Sequence, residues 1–206
     1  MNKSMLFALA AAWLLASPAA SACTPEAQAQ CRDAVLKNVV WRNAELAGGN
    51  FRNANLEGAD LEGARLKGAD LRGANLKFAR LVGSDLADAN LEGADLHGAN
   101  LRNSRLLRAQ LAGANMTKAH LENADLSHAQ LNRADLTQGN LAGADLYQAD
   151  LRGALLDGTV MNHSNLKQAN LSGTSIPYSR LIGARLAEAV WIDGKVCGTG
   201  SLGICK

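Results

Sequence analysis

A large apolar residue recurs at every fifth position, with no shift of phase, from Leu36 to Trp191. Of these 32 positions Leu fills 26, and Trp41, Phe51, Met116, Met161, Ile176 and Trp191 fill the rest. Two residues before each stands a small one: Ala, Ser, Gly or Thr in every unit except the one containing Val39. A period of five suits neither a 3.6-residue helix nor a 2-residue strand. It requires a backbone that turns once per unit. The residue two after each large one indicates how, because 14 of the 32 are Gly and five are Asn (Asn38, Asn43, Asn53, Asn103, Asn123). These types tolerate φ > 0, which the third residue of a type II turn requires. Each unit therefore reads as a short extended piece and a tight turn. The large and small residues face inward, and the other three face solvent.

Runs such as Ala59-Asp60-Leu61-Glu62-Gly63 and Ala94-Asp95-Leu96-His97-Gly98 closely resemble the pentapeptide-repeat pattern A-(D/N)-L-x-x. The resemblance covers residues 34–193. It implies an all-β fold, a right-handed quadrilateral parallel β-helix with four units per coil and about eight coils. With coils spaced about 4.8 Å apart, the rod is on the order of 38 Å long. One coil cannot bury its Leu layer alone, so stacking creates the core. The resemblance also implies a monomer or a homodimer joined through C-terminal ends.

The first segment reads as an address. Lys3 precedes an unbroken apolar run, Leu6–Ala16, too short to span a bilayer about 30 Å thick and suited to the core of a secretory signal. Pro18 ends the run, and Ala20-Ser21-Ala22 supplies small residues for cleavage before Cys23. Residues 1–22 are therefore expected to be a signal peptide, and the mature chain to be exported to the periplasm. Its loss lowers the formal charge of +2 by the one unit of Lys3. Ala20-Ser21-Ala22-Cys23 also resembles the lipobox of bacterial lipoproteins, with Ala20 where Leu is usual. A lipid anchor through Cys23 is thus an alternative, as is secretion beyond the envelope.

Four cysteines fall into two equal spacings, Cys23 to Cys31 and Cys197 to Cys205. An even number in an exported chain suggests two disulfides. Lipidating Cys23 would leave one of the other three without a partner. Given the rod length the resemblance implies, pairing within each end, 23–31 with 197–205, is the expected connectivity. Residues 23–35 are expected to cap the first coil. Thr24-Pro25-Glu26 resembles a helix start, giving a short helix over 24–33. Eight residues of straight helix, however, would separate Cys23 and Cys31 by about 12 Å, beyond disulfide reach. The helix must then be shorter, or Cys23 must fold back outside it. The repeat occupies 36–193, and 194–206 form a disulfide-closed C-terminal cap.

The outward positions carry little recognisable chemistry. Lys+Arg number 21 and Asp+Glu 19, which excludes a strongly basic nucleic-acid binder and a strongly acidic mimic of one. A column at 20-residue spacing reads Glu45, Arg65, Asp85, Arg105, Asp125, Asp145, Asn165, Arg185. It suits a ladder of surface ion pairs, each contributing about 0–1 kcal/mol, or a recognition stripe. Asp125 and Asp145 would lie about 5 Å apart, near the spacing of a retaining-glycosidase pair, but Asp is an ordinary occupant here and no cleft is indicated. His97, His120, His128 and His163 fall on different columns and supply no set of three or four zinc ligands. No phosphate-binding loop, nucleophile–base pair or cofactor site is found.

Exposed apolar residues are more informative. Leu155, Val160, Tyr178, Ile182, Val190 and Ile192 take outward positions in the last coils, whereas earlier ones (Phe78, Val82, Leu107, Tyr147) are sparse. This is a candidate interaction patch or a packing surface for 194–206. The expected function is a non-catalytic, exported scaffold that binds a protein or envelope component. The alternatives are a gyrase-protecting mimic of DNA, which the export signal and near-neutral charge oppose, and a polysaccharide-active envelope enzyme.

Overall fold

A computed structural model describes residues 23–206. The expected signal peptide lies outside the described residues. Each five-residue unit closes a turn in which the amide three residues along bonds back to the large residue's carbonyl, as Ala54 N does to Phe51 O at 2.9 Å and Ala64 N to Leu61 O at 3.0 Å. In every unit from Leu36 to Leu186 the third residue of the turn has φ near +60°, whether it is Gly63 (67°), Asn53 (56°) or even Arg133 (59°).

After each turn one residue forms a parallel bridge with the residue 20 positions on, from Gln30 with Asn50 to Asn170 with Val190. Four units therefore complete one coil. A side contributes only one bridged residue before the chain turns, so no continuous strand develops. The ladder is nonetheless dense. Leu56 N bonds to Asn75 O (2.7 Å), Asn75 N to Ala54 O (2.9 Å) and Gly58 N to Lys77 O (2.8 Å), and the set repeats on every side.

The four sides are numbered by their central residues. Side 1 runs through Leu36, Leu96 and Ile176; side 2 through Trp41, Leu101 and Leu181; side 3 through Leu46, Leu106 and Leu186; side 4 through Phe51, Leu111 and Trp191. Inside them the Leu residues and the small residues beside them form one uninterrupted buried cluster. The few hydroxyls in it are satisfied locally, as Ser84 Oγ by Leu81 O at 2.8 Å and Ser104 Oγ by Leu101 O at 2.7 Å.

The N-terminal segment corrects one expectation. Residues 24–33 form no helix. They enter the five-residue phase early: Gln28 N bonds to Ala47 O and Cys31 N to Asn50 O. Cys31 takes the place of a central Leu on side 4 and is buried. A short isolated helix is marginal in water, and here the next coil offers carbonyls in ladder register. The compact path brings the Cys23 and Cys31 Cα atoms to 5.2 Å, and the two are bonded.

At the other end Lys195–Gly203 doubles back antiparallel on the last coil. Val196 pairs with Val190 and Leu202 with Arg185, and Cys197 is bonded to Cys205 with Cα atoms 4.9 Å apart. This segment bonds to sides 3 and 4 and, at Gly203, abuts the backbone of Leu181 and Gly183 at the edge of side 2.

Candidate interaction surface

The side faces are occupied by their own contacts. On side 3 Arg65 pairs with Glu45 at 2.6 Å and Arg105 with Asp85 at 3.2 Å, giving separate pairs rather than a continuous ladder. Asp125 and Asp145 are bridged neighbours, but both carboxylates are engaged. Asp125 Oδ1 accepts bonds from the Ser127 amide and hydroxyl. Asp145 Oδ1 accepts from Tyr147 N at 2.9 Å and Asn165 Nδ2 at 2.8 Å. Arg105 flanks the pair through its bridge to Asp125, and its side chain bonds to Asp85.

Side 4 has the tightest carboxylates. Arg72 grips Asp70 with two bonds, at 2.8 and 2.5 Å, and Arg152 grips Asp150 at 2.9 and 2.7 Å. These side-chain bonds, opposed by partial burial and reinforced by the Arg backbone amides, hold both carboxyls below the usual carboxylate range. The arrangement is that of charge-assisted pairs in one corner.

The histidines are scattered. His97 Nδ1 meets Thr117 Oγ1 at 2.6 Å, and its ring stands edge-on to Phe78 at 5.4 Å. His128 packs edge-on to Tyr147 at 5.6 Å. His120 lies beside Arg102 at 3.2 Å, in a cluster with Glu122. Among the described residues no three His, Cys, Asp or Glu side chains converge as metal ligands. A shallow groove of about 300 Å³ is lined by Tyr147, Lys167, Gln168, Ala187, Glu188 and Thr199, away from the Asp125–Asp145 pair.

The six apolar residues singled out from the sequence separate into two groups. Tyr178 (88% exposed) and Ile182 (67%) occupy successive corners flanking side 2 of the last coil, and Leu155 (46%) lies one coil below, on side 1. Val160 is half-buried and bridged to Arg180. Val190 and Ile192 belong to side 4. They are half-buried, Val190 is bridged to Val196, and Ile192 packs against the core. That pair is cap packing, because the returning C-terminal segment lies on their side. The remaining four lie along sides 1 and 2 of the last two coils, three of them exposed and Val160 half-buried.

Two further sets were not recognised in the sequence. Val35 (82% exposed) and Val40 (70%) rim the N-terminal coil, and Val196, Leu202 and Ile204 are exposed on the C-terminal cap. The signal for the first set was present: both Val residues take outward positions that the middle coils fill with Asn, Asp, Arg or His, before Leu155 and Val160 occupy them again.

Twenty-residue coils, one turn per five residues and a Leu-lined core define a four-sided β-solenoid. The chain belongs to the pentapeptide-repeat family: the family model, Pentapeptide repeats, matches in 8 copies over residues 29–68, 69–106, 104–143 and 139–176. Among solved structures it is similar to HetL from the cyanobacterium Nostoc, a pentapeptide repeat protein involved in heterocyst differentiation regulation. That likeness is 33% identity over 82% of this chain and 81% of HetL, with a TM-score of 0.59. It is also similar to trypsin-treated QnrB1, a plasmid-mediated fluoroquinolone resistance protein, at 19% identity over 82% of this chain and 84% of that one, TM-score 0.67. The second likeness is one of fold alone. Together they support the right-handed winding. No functionally curated protein matches the chain.

Proposed function

We propose that this chain is a non-catalytic binding rod, exported to the periplasm and closed by its two disulfides, whose C-terminal end meets a protein or other envelope component. The observation that carries the reading is the exposure of Leu155, Tyr178 and Ile182, with half-buried Val160 among them, along sides 1 and 2 of the last two coils, on a scaffold whose side-face charges largely satisfy one another. Exposed apolar residues clustered in this way mark interaction sites. Export is supported by the leading apolar segment and by the cysteine pairing, which is favoured in oxidising compartments. Pairing Cys23 with Cys31 also uses the sulfur that a lipid anchor would need. Among the described residues no helix is long and apolar enough to cross a membrane.

The reading treats the rod as a monomer with this end free. A C-terminal homodimer would bury the same residues, and sedimentation at rising concentration separates the two. The gyrase-protecting alternative is not adopted, because the fold likeness to QnrB1 carries no activity and the total charge is near balance. Nor is the polysaccharide-active alternative, because Asp125 and Asp145 each engage Oδ1 in a turn and lie away from the groove.

The test is photo-crosslinking in cells, with a benzoylphenylalanine placed at Tyr178 or, as a mid-rod control, at Glu92. The proposal expects a defined adduct from position 178 and none from 92. Adducts of equal yield from both would contradict an end-specific surface.

A further inference from the structure

The last coil is capped on only half of its circumference. On sides 3 and 4 the returning segment supplies five backbone bonds: Leu186 N to Ser201 O, Glu188 N to Cys197 O, Trp191 N to Lys195 O, Gly203 N to Ala184 O and Cys197 N to Ala189 O. On sides 1 and 2 the equivalent groups make no such bonds, and the cap reaches them only where Gly203 abuts Leu181 O and Gly183 N. The amides of Ile176, Tyr178, Leu181 and Gly183 and the carbonyls of Thr174 and Ser179 have no hydrogen-bond partner among the described residues. One coil below, the corresponding six groups are all used. Leu156 N, Gly158 N, Met161 N and His163 N bond to the last coil's carbonyls, while Ala154 O and Thr159 O accept from Ser175 N and Arg180 N. Cys205 is tied back to Cys197, which holds Cys197–Cys205 over sides 3 and 4.

We infer that this open half-coil, Thr174–Gly183, is a strand-addition site for an extended segment of a partner protein, running antiparallel as Lys195–Gly203 does next to it. The rest of the same edge already accepts such a segment, in bridges centred on Val190 and Arg185. Ser175 and Arg180 are the vacant equivalents. Exposed sheet edges are templates for pairing, and main-chain bonds supply affinity in this mode while side-chain positions supply selectivity.

The chemistry of the occupant follows from the neighbours. Ile176 and Leu181, central residues without a coil above them, are only partly buried, so residues turned inward should be apolar. Arg180 is exposed and makes no ion pair among the described residues, so the residue opposite it should be acidic. Pairing this edge with a second copy about Arg180 would instead set two guanidinium groups against each other. Tyr178 and Ile182 flank the position and would close over the added strand. The inference rests on the proposed use of the C-terminal end and specifies how that end binds.

The probe is a synthetic, disulfide-closed peptide of residues 194–206, with Val196→Glu placing a carboxylate opposite Arg180. The unsubstituted peptide and a Val196→Lys version are compared with it on the purified, isotope-labelled protein. The expected result is a shift and slowed exchange of the Ile176, Tyr178, Leu181 and Gly183 amides. The Glu peptide should bind roughly two- to five-fold tighter than the unsubstituted one, the range for one cross-strand charge pair. In Arg180→Glu the order should reverse in favour of the Lys peptide.

The inference is overturned if these four amides already exchange as slowly as mid-rod amides in the dilute monomer, or if the peptides leave them unmoved. It is equally overturned if the four become protected without peptide as a dimer forms. Partner capture at Tyr178 with unmoved amides would retain the proposed function and reject the strand. Amide protection without capture would retain the strand and reject that function.

Discussion

Gly49 owes its identity to Phe51. A Cβ on Gly49 would stand 2.5 Å from Phe51 Cε2 and 3.0 Å from Leu46 O, although nearly every other unit carries Ala or a larger residue there. Phe51 fills a Leu position, is fully buried and tilts against Trp41 at a centroid distance of 6.4 Å. The ring takes the space an alanine methyl would need. Gly49→Ala should therefore destabilise the first coils by about 1–3 kcal/mol, as overpacking does. Combined with Phe51→Leu it should cost clearly less than the sum of the single changes. Urea unfolding of the four proteins gives the coupling; strict additivity would contradict the contact.

The inward and outward positions differ sharply in energetic weight. Leu96 is fully buried in the central stack, and Leu96→Ala should cost about 2–5 kcal/mol. Glu92 is exposed, and Glu92→Ala should cost less than about 0.5 kcal/mol. Calorimetric midpoints suffice to compare them. Equal losses would place the five-residue phase wrongly.

Positive φ is imposed by the coil, not chosen by each residue. Lys118 is held at φ 57° and Gly113 at 64°. Left-handed backbone costs a side chain-bearing residue about 1–2 kcal/mol, against about 0.5–1 kcal/mol of extra chain entropy for Gly. Lys118→Gly should therefore stabilise by roughly 0.5–1 kcal/mol. Gly113→Ala should destabilise by a similar amount, although nothing lies within 4 Å of the new Cβ. Chemical denaturation measures both, and opposite signs are the expected result.

Acid should loosen the paired corners. Arg72 and Arg152 keep Asp70 and Asp150 ionised below the usual carboxylate range. A depressed folded pKa contributes stability above the unfolded value, about 3.9, and that contribution is lost as pH falls through the folded value. Midpoints should thus be insensitive to these pairs near neutrality and fall below about pH 4. Asp70→Asn should show a smaller acid loss than the parent protein in thermal melts across that range.

The turn-and-extend backbone was legible in the sequence because an unbroken period of five repeats the same instruction in each unit, while the four sides and the right hand followed from the resemblance. Cys31 was missed as a core residue. It lies in phase, but the local helix-start signal of Thr24-Pro25-Glu26 was weighted above the continuing period. The apolar set along sides 1 and 2 was legible as outward residues, yet its separation from Val190 and Ile192 was not. That depended on where the C-terminal segment lands, and the segment has no repeat to place it. The uncapped edge at Ile176–Gly183 was invisible for the same reason: an unused amide leaves no mark on composition.

The most direct test is the intact mass of the protein purified natively from cells, alkylated before and after reduction. The account predicts a chain beginning at Cys23 that takes up no alkyl groups until reduced and then takes up four. A mass raised by acyl chains with Cys31 alkylated without reduction, or a chain beginning at Met1 with free thiols, would contradict an exported rod closed by two disulfides.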